Sequence, residues 1–284
     1  MGNFAETMNY RHFYHIGNFA DVFKHSLLVA VIDALGQKDK AFCYIDSHAG
    51  TGSYDLTREE TQRSKEYQDG IEKLLQAQNP PPELTQYIDL VKSFQINDAL
   101  HRYPGSPLIA QALLRPQDQM IVNEFHPDDY QTLRYSLGKS PNIHCHHRDA
   151  YEFLPAILPP TPARGLILID PPYERTDEFA ALTACLKTNI KRFANGVYMI
   201  WYPIVSLQHR SFTRQIIREK WAPTLVTEMA LTAIPEAKSG IIGCGVVILN
   251  PPWKIEQKVR AITEYLAELF KKSESGYCRT EFEE

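Results

Sequence analysis

Residues 166–173 read Leu166-Ile167-Leu168-Ile169-Asp170-Pro171-Pro172-Tyr173. Four apolar residues in succession, closed by a turn signal, describe a strand buried on both faces, as in a parallel sheet covered by helices. Two prolines end it, because neither has an N–H to give to a ladder. An acid, two prolyl carbonyls and an aromatic ring therefore stand at the carboxyl end of a central strand. In open α/β sheets that is where ligands bind. The tetrad suits a flat ring bearing an amino group. Asp170 accepts one N–H, the carbonyl of Pro171 accepts the second, and Tyr173 stacks on the ring face. With both hydrogens engaged, the nitrogen lone pair is drawn out of conjugation toward an electrophile.

Upstream, residues 41–45 form the first strand, followed by Asp46-Ser47-His48-Ala49-Gly50-Thr51-Gly52. Such a loop lets backbone approach a ligand closely, although it lacks the three glycines of the dinucleotide fingerprint. Residues 103–107, Tyr-Pro-Gly-Ser-Pro, lead into a helix over 108–114. Ser106 is expected as its N-cap and Pro107 as its first helical residue. Free N–H groups there could receive a ligand carboxylate. A second strand, 119–123, closes on Glu124, and a third, 143–147, ends at Arg148-Asp149-Ala150. Glu124 can accept from both hydroxyls of a ribose, and Asp149 from an adenine amine. The neighbouring His144-Cys145-His146-His147 would split between two strand faces, and no second cluster has ligand spacing, so no metal is expected.

Residues 10–25 read Tyr-Arg-His-Phe-Tyr-His-Ile-Gly-Asn-Phe-Ala-Asp-Val-Phe-Lys-His. A turn at Gly17-Asn18 opens a helix over about 20–35, with Val22, Leu28, Val29 and Ile32 on one broad apolar face. Lys24 and His25 fall in its first turns, where a cation gains nothing from the helix dipole. That placement hints at an external anionic or polar partner; a solvated lysine and a packed histidine would read the same way. Residues 57–100 break the α/β rhythm. They are polar and helix-prone, split by Asn79-Pro80-Pro81-Pro82, with Ile71, Leu74, Leu75, Leu84, Ile88, Val91 and Phe94 at helical spacing. The expected organisation is one α/β domain over 1–56 and 101–284, with a helical insert over 57–100. Beyond Tyr173 a helix, a strand, a helix carrying Arg210, Arg214 and Arg218, and two further strands (224–231 and 243–249) follow. The last strand runs into Asn250-Pro251-Pro252-Trp253, a second copy of the tetrad's shape.

The net charge is −4, from 30 Lys and Arg against 34 Asp and Glu, so any nucleic-acid surface must be a local patch. The cysteines are odd in number and scattered, which reads as reduced thiols in a cytosolic protein. A signal peptide and a long apolar run are both absent, so no membrane association is expected.

Asp-Pro-Pro-Tyr resembles the signature of amino-group methyltransferases that use S-adenosylmethionine, chiefly those acting on adenine N6. The whole order of motifs resembles a class I methyltransferase, a doubly wound, Rossmann-like sheet of seven strands with strand 7 antiparallel. More closely it is similar to the bacterial large-subunit ribosomal RNA adenine-N6 methyltransferases of the RlmJ family, on Tyr10-Arg11-His12, Gly17-Asn18, Lys24-His25, Asp46 with His48-Ala49-Gly50, residues 103–110, 165–174 and Asn250 to Lys254. The resemblance implies S-adenosyl-L-methionine held by Lys24, His25, Asp46, His48, Gly50, Ser106, Glu124, Asp149, Ala150 and Asp170. It implies catalysis at Asp170, Pro171, Pro172 and Tyr173, and substrate contacts from Tyr10, Arg11, Lys24 and Tyr173. It further implies a cytoplasmic monomer acting on 23S rRNA, naked or early in assembly. In that fold the end of strand 7 lies away from the cofactor, which makes Asn250 structural. The tetrad alone does not choose RNA over DNA, and a non-catalytic RNA-binding module on the same fold is the other rival.

Overall fold

The computed structural model describes residues 15–97, 99–234 and 240–284. The expected substrate contacts Tyr10 and Arg11 lie outside them. One sheet organises the chain. Five parallel strands stand in the order β5 (Ile143–His146), β4 (Gln119–Asn123), β1 (Cys43–Asp46), β6 (Gly165–Ile169) and β7 (Val197–Ile204). β9 (Gly243–Leu249) then pairs antiparallel with both β7 and β8 (Thr224–Ala230). The run 165–169 is buried throughout and sits between β1 and β7, as an uninterrupted apolar strand requires.

The sheet has eight strands rather than the expected seven. β10 (Tyr277–Glu283) pairs antiparallel along β8 and forms the outer edge. Its Arg279 guanidinium meets Glu228 at 2.6 Å; Glu228 is buried on β8 and also accepts from the Tyr202 hydroxyl. A buried carboxylate needs such partners, so the added strand covers a charge as well as an edge.

Helices cover both faces. α7 (Ala150–Ile157), α8 (Glu178–Arg192) and α9 (Gln208–Glu219) pack one side through Phe153, Leu186, Phe212 and Ile216. On the other side lie α1 (Phe19–Gly36), α5 (Ser106–Leu113), α6 (Pro127–Leu137) and α10 (Ile255–Phe270). α1 differs from its expected one-sided pattern. Val22, Phe23, Leu27, Leu28, Val31 and Ile32 are all buried, because the helix has cover around its whole circumference. Part of that cover comes from the excursion 57–100, which holds α2 (Glu59–Ser64), α3 (Lys73–Gln76), α4 (Thr85–Lys92) and short π and 3₁₀ turns. Ile71, Leu74, Tyr87 and Val91 share one core with α1 and α10. A small antiparallel pair, β2 (Ser53–Asp55) and β3 (Arg102–Pro104), closes the base of the excursion. Gly70 admits the contact: a Cβ there would lie 2.1 Å from the Gly17 carbonyl, which accepts from Ile71 N–H at 2.8 Å. Excising 57–100 would therefore strip α1 of its cover.

The second Pro-Pro turn stands at the opposite end of the sheet from Asp170, as an antiparallel β9 dictates. Asn250 adopts φ 53° and donates its amide to the carbonyls of Ala194 and Gly196 at 2.7 and 2.9 Å. Among the described residues no helix is long and apolar enough to cross a membrane.

Candidate active site

The carboxyl ends of β1, β4, β5 and β6 converge on one crevice, where the strand order reverses about β1. Asp46 ends β1 and is fully buried. Its carboxylate accepts from the Tyr44 hydroxyl at 2.7 Å, the Ser106 hydroxyl at 2.7 Å and the His48 N–H at 3.2 Å. Ser106 is thus the first residue of α5, not its N-cap. Gly105 takes the cap position, and the serine hydroxyl is committed to Asp46. Glu124, 8 % exposed beyond β4, accepts from the Gly50 and His126 N–H groups, both at 2.8 Å. Burial raises its carboxyl above the ordinary value, against those N–H donors. Asp149 caps α7, its Oδ1 accepting from the N–H groups of Tyr151 and Glu152. Ala150 opens that helix and is buried. Asn123, which sequence reasoning passed over, donates to the carbonyls of Ser47 and Arg148 and so ties three strand ends together.

Asp170 follows β6. Lys24 Nζ lies 2.5 Å from its Oδ2 and 3.1 Å from Asp21 Oδ1. Lys24, whose place in the sequence hinted at an external anionic or polar partner, is only 6 % exposed. Burial works against its charge, but Asp170 and Asp21 outweigh that and raise the ammonium well above its ordinary value. Those carboxylates also offset its position in the first turns of a helix. The i,i+3 spacing of Asp21 and Lys24 was a legible signal. α1 is fixed in turn by its cap: Asn18 Oδ1 accepts from Ala20 and Asp21 N–H, and Asn18 Nδ2 donates to Glu66 of the excursion at 3.0 Å. His25 Nδ1 meets the Tyr103 hydroxyl at 2.7 Å, which meets that of Tyr87 at 2.8 Å.

Tyr173 adopts φ 53°, the left-handed region that non-glycine residues enter rarely and at energetic cost. Its hydroxyl donates to the Trp201 carbonyl at 2.6 Å, and the two rings meet edge to face with centroids 5.9 Å apart. The turn thus carries Tyr173 over the middle of β7, near enough to Asp170 that its charge, after burial, helps raise the Tyr173 hydroxyl well above its ordinary value. His48 completes the crevice. Burial lowers it to about 4, despite the pull of Asp170 and Asp149, so it is neutral at pH 7. Chemically, the crevice offers carboxylates at four strand ends (Asp46, Glu124, Asp149 and Asp170), one cation committed to Asp170 and Asp21, and an aromatic platform.

Burial pushes the Asp46 carboxyl up from 3.8 to about 6, against the hydrogen bonds it accepts. A carboxyl raised on folding stabilises the native state at low pH, and that contribution is lost as pH rises through about 6. Asp46→Asn removes it. Urea unfolding at pH 4 to 7 is expected to show the variant gaining on the wild type as pH rises, by up to ~3 kcal/mol. Parallel curves would place the carboxyl's titration outside that window.

Sheet order, antiparallel β9 and acids at the strand ends define an α/β methyltransferase of the class I fold. The sequence model described as "Ribosomal RNA large subunit methyltransferase D, RlmJ" matches residues 39–283. Over 262 residues the chain is 40 % identical to ribosomal RNA large subunit methyltransferase J of Escherichia coli K12, covering 91 % of this chain and 92 % of that protein. It is 36 % identical over 263 residues to the Haemophilus influenzae protein of the same name, with the same shares covered. A crystal structure of a Legionella pneumophila protein superposes with a TM-score of 0.85 at 34 % identity, over 94 % of this chain and 98 % of that one. The chain belongs to the RlmJ family of ribosomal RNA methyltransferases, and it is an enzyme.

Proposed function

We propose that the protein transfers a methyl group from S-adenosyl-L-methionine to the N6 amine of a flipped-out adenine in 23S rRNA. The observation that carries this reading is the Lys24–Asp170 pair set beside Tyr173 at the end of β6. Lys24 occupies Asp170 Oδ2, while Oδ1 carries no hydrogen bond among the described residues. That oxygen is available to one N6 hydrogen, and the Pro171 carbonyl to the other. Tyr173 gives the base a face to stack on, worth roughly 1–3 kcal/mol, which offsets the few kcal/mol of unstacking.

The other strand ends fit the cofactor by the chemistry of their donor set. Each oxygen of Glu124 holds one backbone N–H and keeps a lone pair for a ribose hydroxyl. Asp149 Oδ2 carries no hydrogen bond among the described residues and suits an adenine amine. Gly50, at φ 60°, brings backbone close. Lys24, His25, Asp46, His48, Ser106 and Ala150 complete the set assigned to it. When bound, the cofactor supplies an already electrophilic methyl group on a sulfonium. The chain's own contribution is alignment and exclusion of water. Asp170 orients the amine, and no dedicated base is required because the nitrogen acidifies as it is alkylated.

The test is transfer of tritium from labelled cofactor to 23S rRNA, 16S rRNA and DNA, with nucleoside analysis of the product. N6-methyladenosine from 23S rRNA alone is expected. Label in DNA would favour the DNA enzyme, and label at another atom would reject the tetrad's role. Glu124→Ala is expected to weaken cofactor binding by ~1–3 kcal/mol, the range for a hydrogen bond to a charged group. Calorimetry checks it; unchanged affinity would remove Glu124 from the site.

A further inference from the structure

Beside the Gly50–Gly52 loop lies a second cavity, of about 380 Å³, lined in part by Thr51 and Ser53. That is within the range of pockets that hold small ligands. It is walled by the paired strands β2 and β3 and by α6, and it contains none of the residues assigned to catalysis or to the cofactor. Arg58 and Arg102 line it from the strand side, and both are exposed. They sit close enough to Asp55 to help hold its carboxyl low, behind the Thr57 hydroxyl that dominates. Asp128 and Asp129 line it from the first turn of α6, and Tyr135, 89 % exposed, from the last. His126 lines it too, and its Nδ1 is buried without a hydrogen-bond partner among the described residues.

We infer that this cavity receives a guanosine nucleotide of the RNA, next to the adenine being methylated. The inference rests on the RNA reading above. The chemistry that selects the ligand is mixed. Guanidinium groups recognise phosphate, where arginine's planar fork gives paired hydrogen bonds. An exposed tyrosine ring gives a base a surface to stack on. Carboxylates accept, so they select a base edge that presents N–H donors. Of the four RNA bases only guanine presents two adjacent donors, N1–H and N2–H, which match the two oxygens of one carboxylate. A net-negative protein can hold RNA this way, because the two arginines meet the backbone locally while the acids read a base. The cavity also touches the cofactor side through its own backbone: the N–H of His126 is the group held by Glu124 Oε1.

Arg102 and Tyr135 are exposed, so Arg102→Ala and Tyr135→Ala are suitable variants. Two readouts on the full chain separate the possibilities. The first is steady-state methyl transfer to a 23S rRNA fragment. Each variant is expected to raise the RNA KM by about fivefold or more, with kcat and cofactor affinity within twofold of wild type. The second needs no catalysis: 5′-GMP, 5′-AMP and inorganic phosphate are titrated against the protein by NMR. GMP is expected to bind more tightly than AMP, and both variants and Asp128→Asn to weaken it by fivefold or more. Wild-type KM and GMP affinity in both alanine variants would overturn the site. GMP and AMP binding alike, with phosphate displacing both, would leave an anion contact and overturn the guanine assignment. Absence of methyl transfer to RNA by the wild-type enzyme would instead reject the proposed function, and the nucleotide titration would still decide whether the cavity binds guanosine.

Discussion

Asp170→Ala is expected to cut the methyl-transfer rate by a thousandfold or more while cofactor affinity changes only a few-fold. A thousandfold is about 4 kcal/mol of lost transition-state stabilisation. The selectivity follows from when the contact matters. On the proposed function the amine must shed conjugation as it is attacked, so an acceptor on its N–H gains strength toward the transition state and adds little to cofactor binding. Single-turnover transfer with excess enzyme, beside calorimetry of cofactor binding, reads the two effects separately. Asp170→Asn is the control for folding. It keeps the side chain's size and one acceptor oxygen, and it leaves Lys24 paired with Asp21 at 3.1 Å. It should fold and retain an intermediate rate. A rate above half of wild type in Asp170→Ala corresponds to under roughly 0.5 kcal/mol and would remove the tetrad from the chemistry.

Lys24→Met should be costly twice over. Removing one partner from a buried ion pair destabilises by ~3–5 kcal/mol, because the charge left behind has no compensation. Here Asp21, 3 % exposed, and the Asp170 side chain, 17 % exposed, would both lose their cation. Urea unfolding reads that loss. On the proposed function the rate should also fall at least a hundredfold, since among the described residues Lys24 alone holds Asp170 Oδ2 and leaves the other oxygen for the amine. The double variant Asp21→Asn with Lys24→Met separates the two effects. Stability should recover in part when one of the two buried carboxylates is neutralised, whereas the rate should not. A single variant as stable as wild type would show that the pair is solvated rather than enclosed. Recovery of the rate in the double variant would make Lys24 a structural group only.

Burial also takes Lys24 out of the surface open to RNA. Its ammonium is spent on two carboxylates, so phosphates must be met elsewhere. Exposed cations remain on α9, where Arg210, Arg214 and Arg218 follow one another at helical spacing, and at the mouth of the cavity beside β3. Deleting residues 57–100 would not isolate an RNA-binding part, because Ile71 and Tyr87 belong to the core that encloses α1.

What the sequence by itself determined was the sheet and the ends of its strands. The run 166–169 has no polar residue to face water, so it had to be central. The prolines after it and the acids Asp46, Glu124 and Asp149 after the other strands had to stand at one edge, because parallel strands end together. Asn250 could be set aside only through the family resemblance, which implied an antiparallel last strand and so carried its end to the other side. Tertiary structure decided the partners. Asp170 and Lys24 lie 146 residues apart, and no local pattern says that a lysine in a helix's first turns will be enclosed. That depends on what covers the helix, and here the cover is an excursion whose own polarity reads as solvated. Ser106 looked like a cap because its neighbours fit one, yet its hydroxyl went to the buried carboxylate that needed it more. β10 was illegible for a related reason. Its residues alternate weakly and stay largely exposed, and only the open edge of β8 with its buried Glu228 makes a strand of them. Periodicity reports burial against a face, whereas pairing of charges across the fold depends on which faces finally meet.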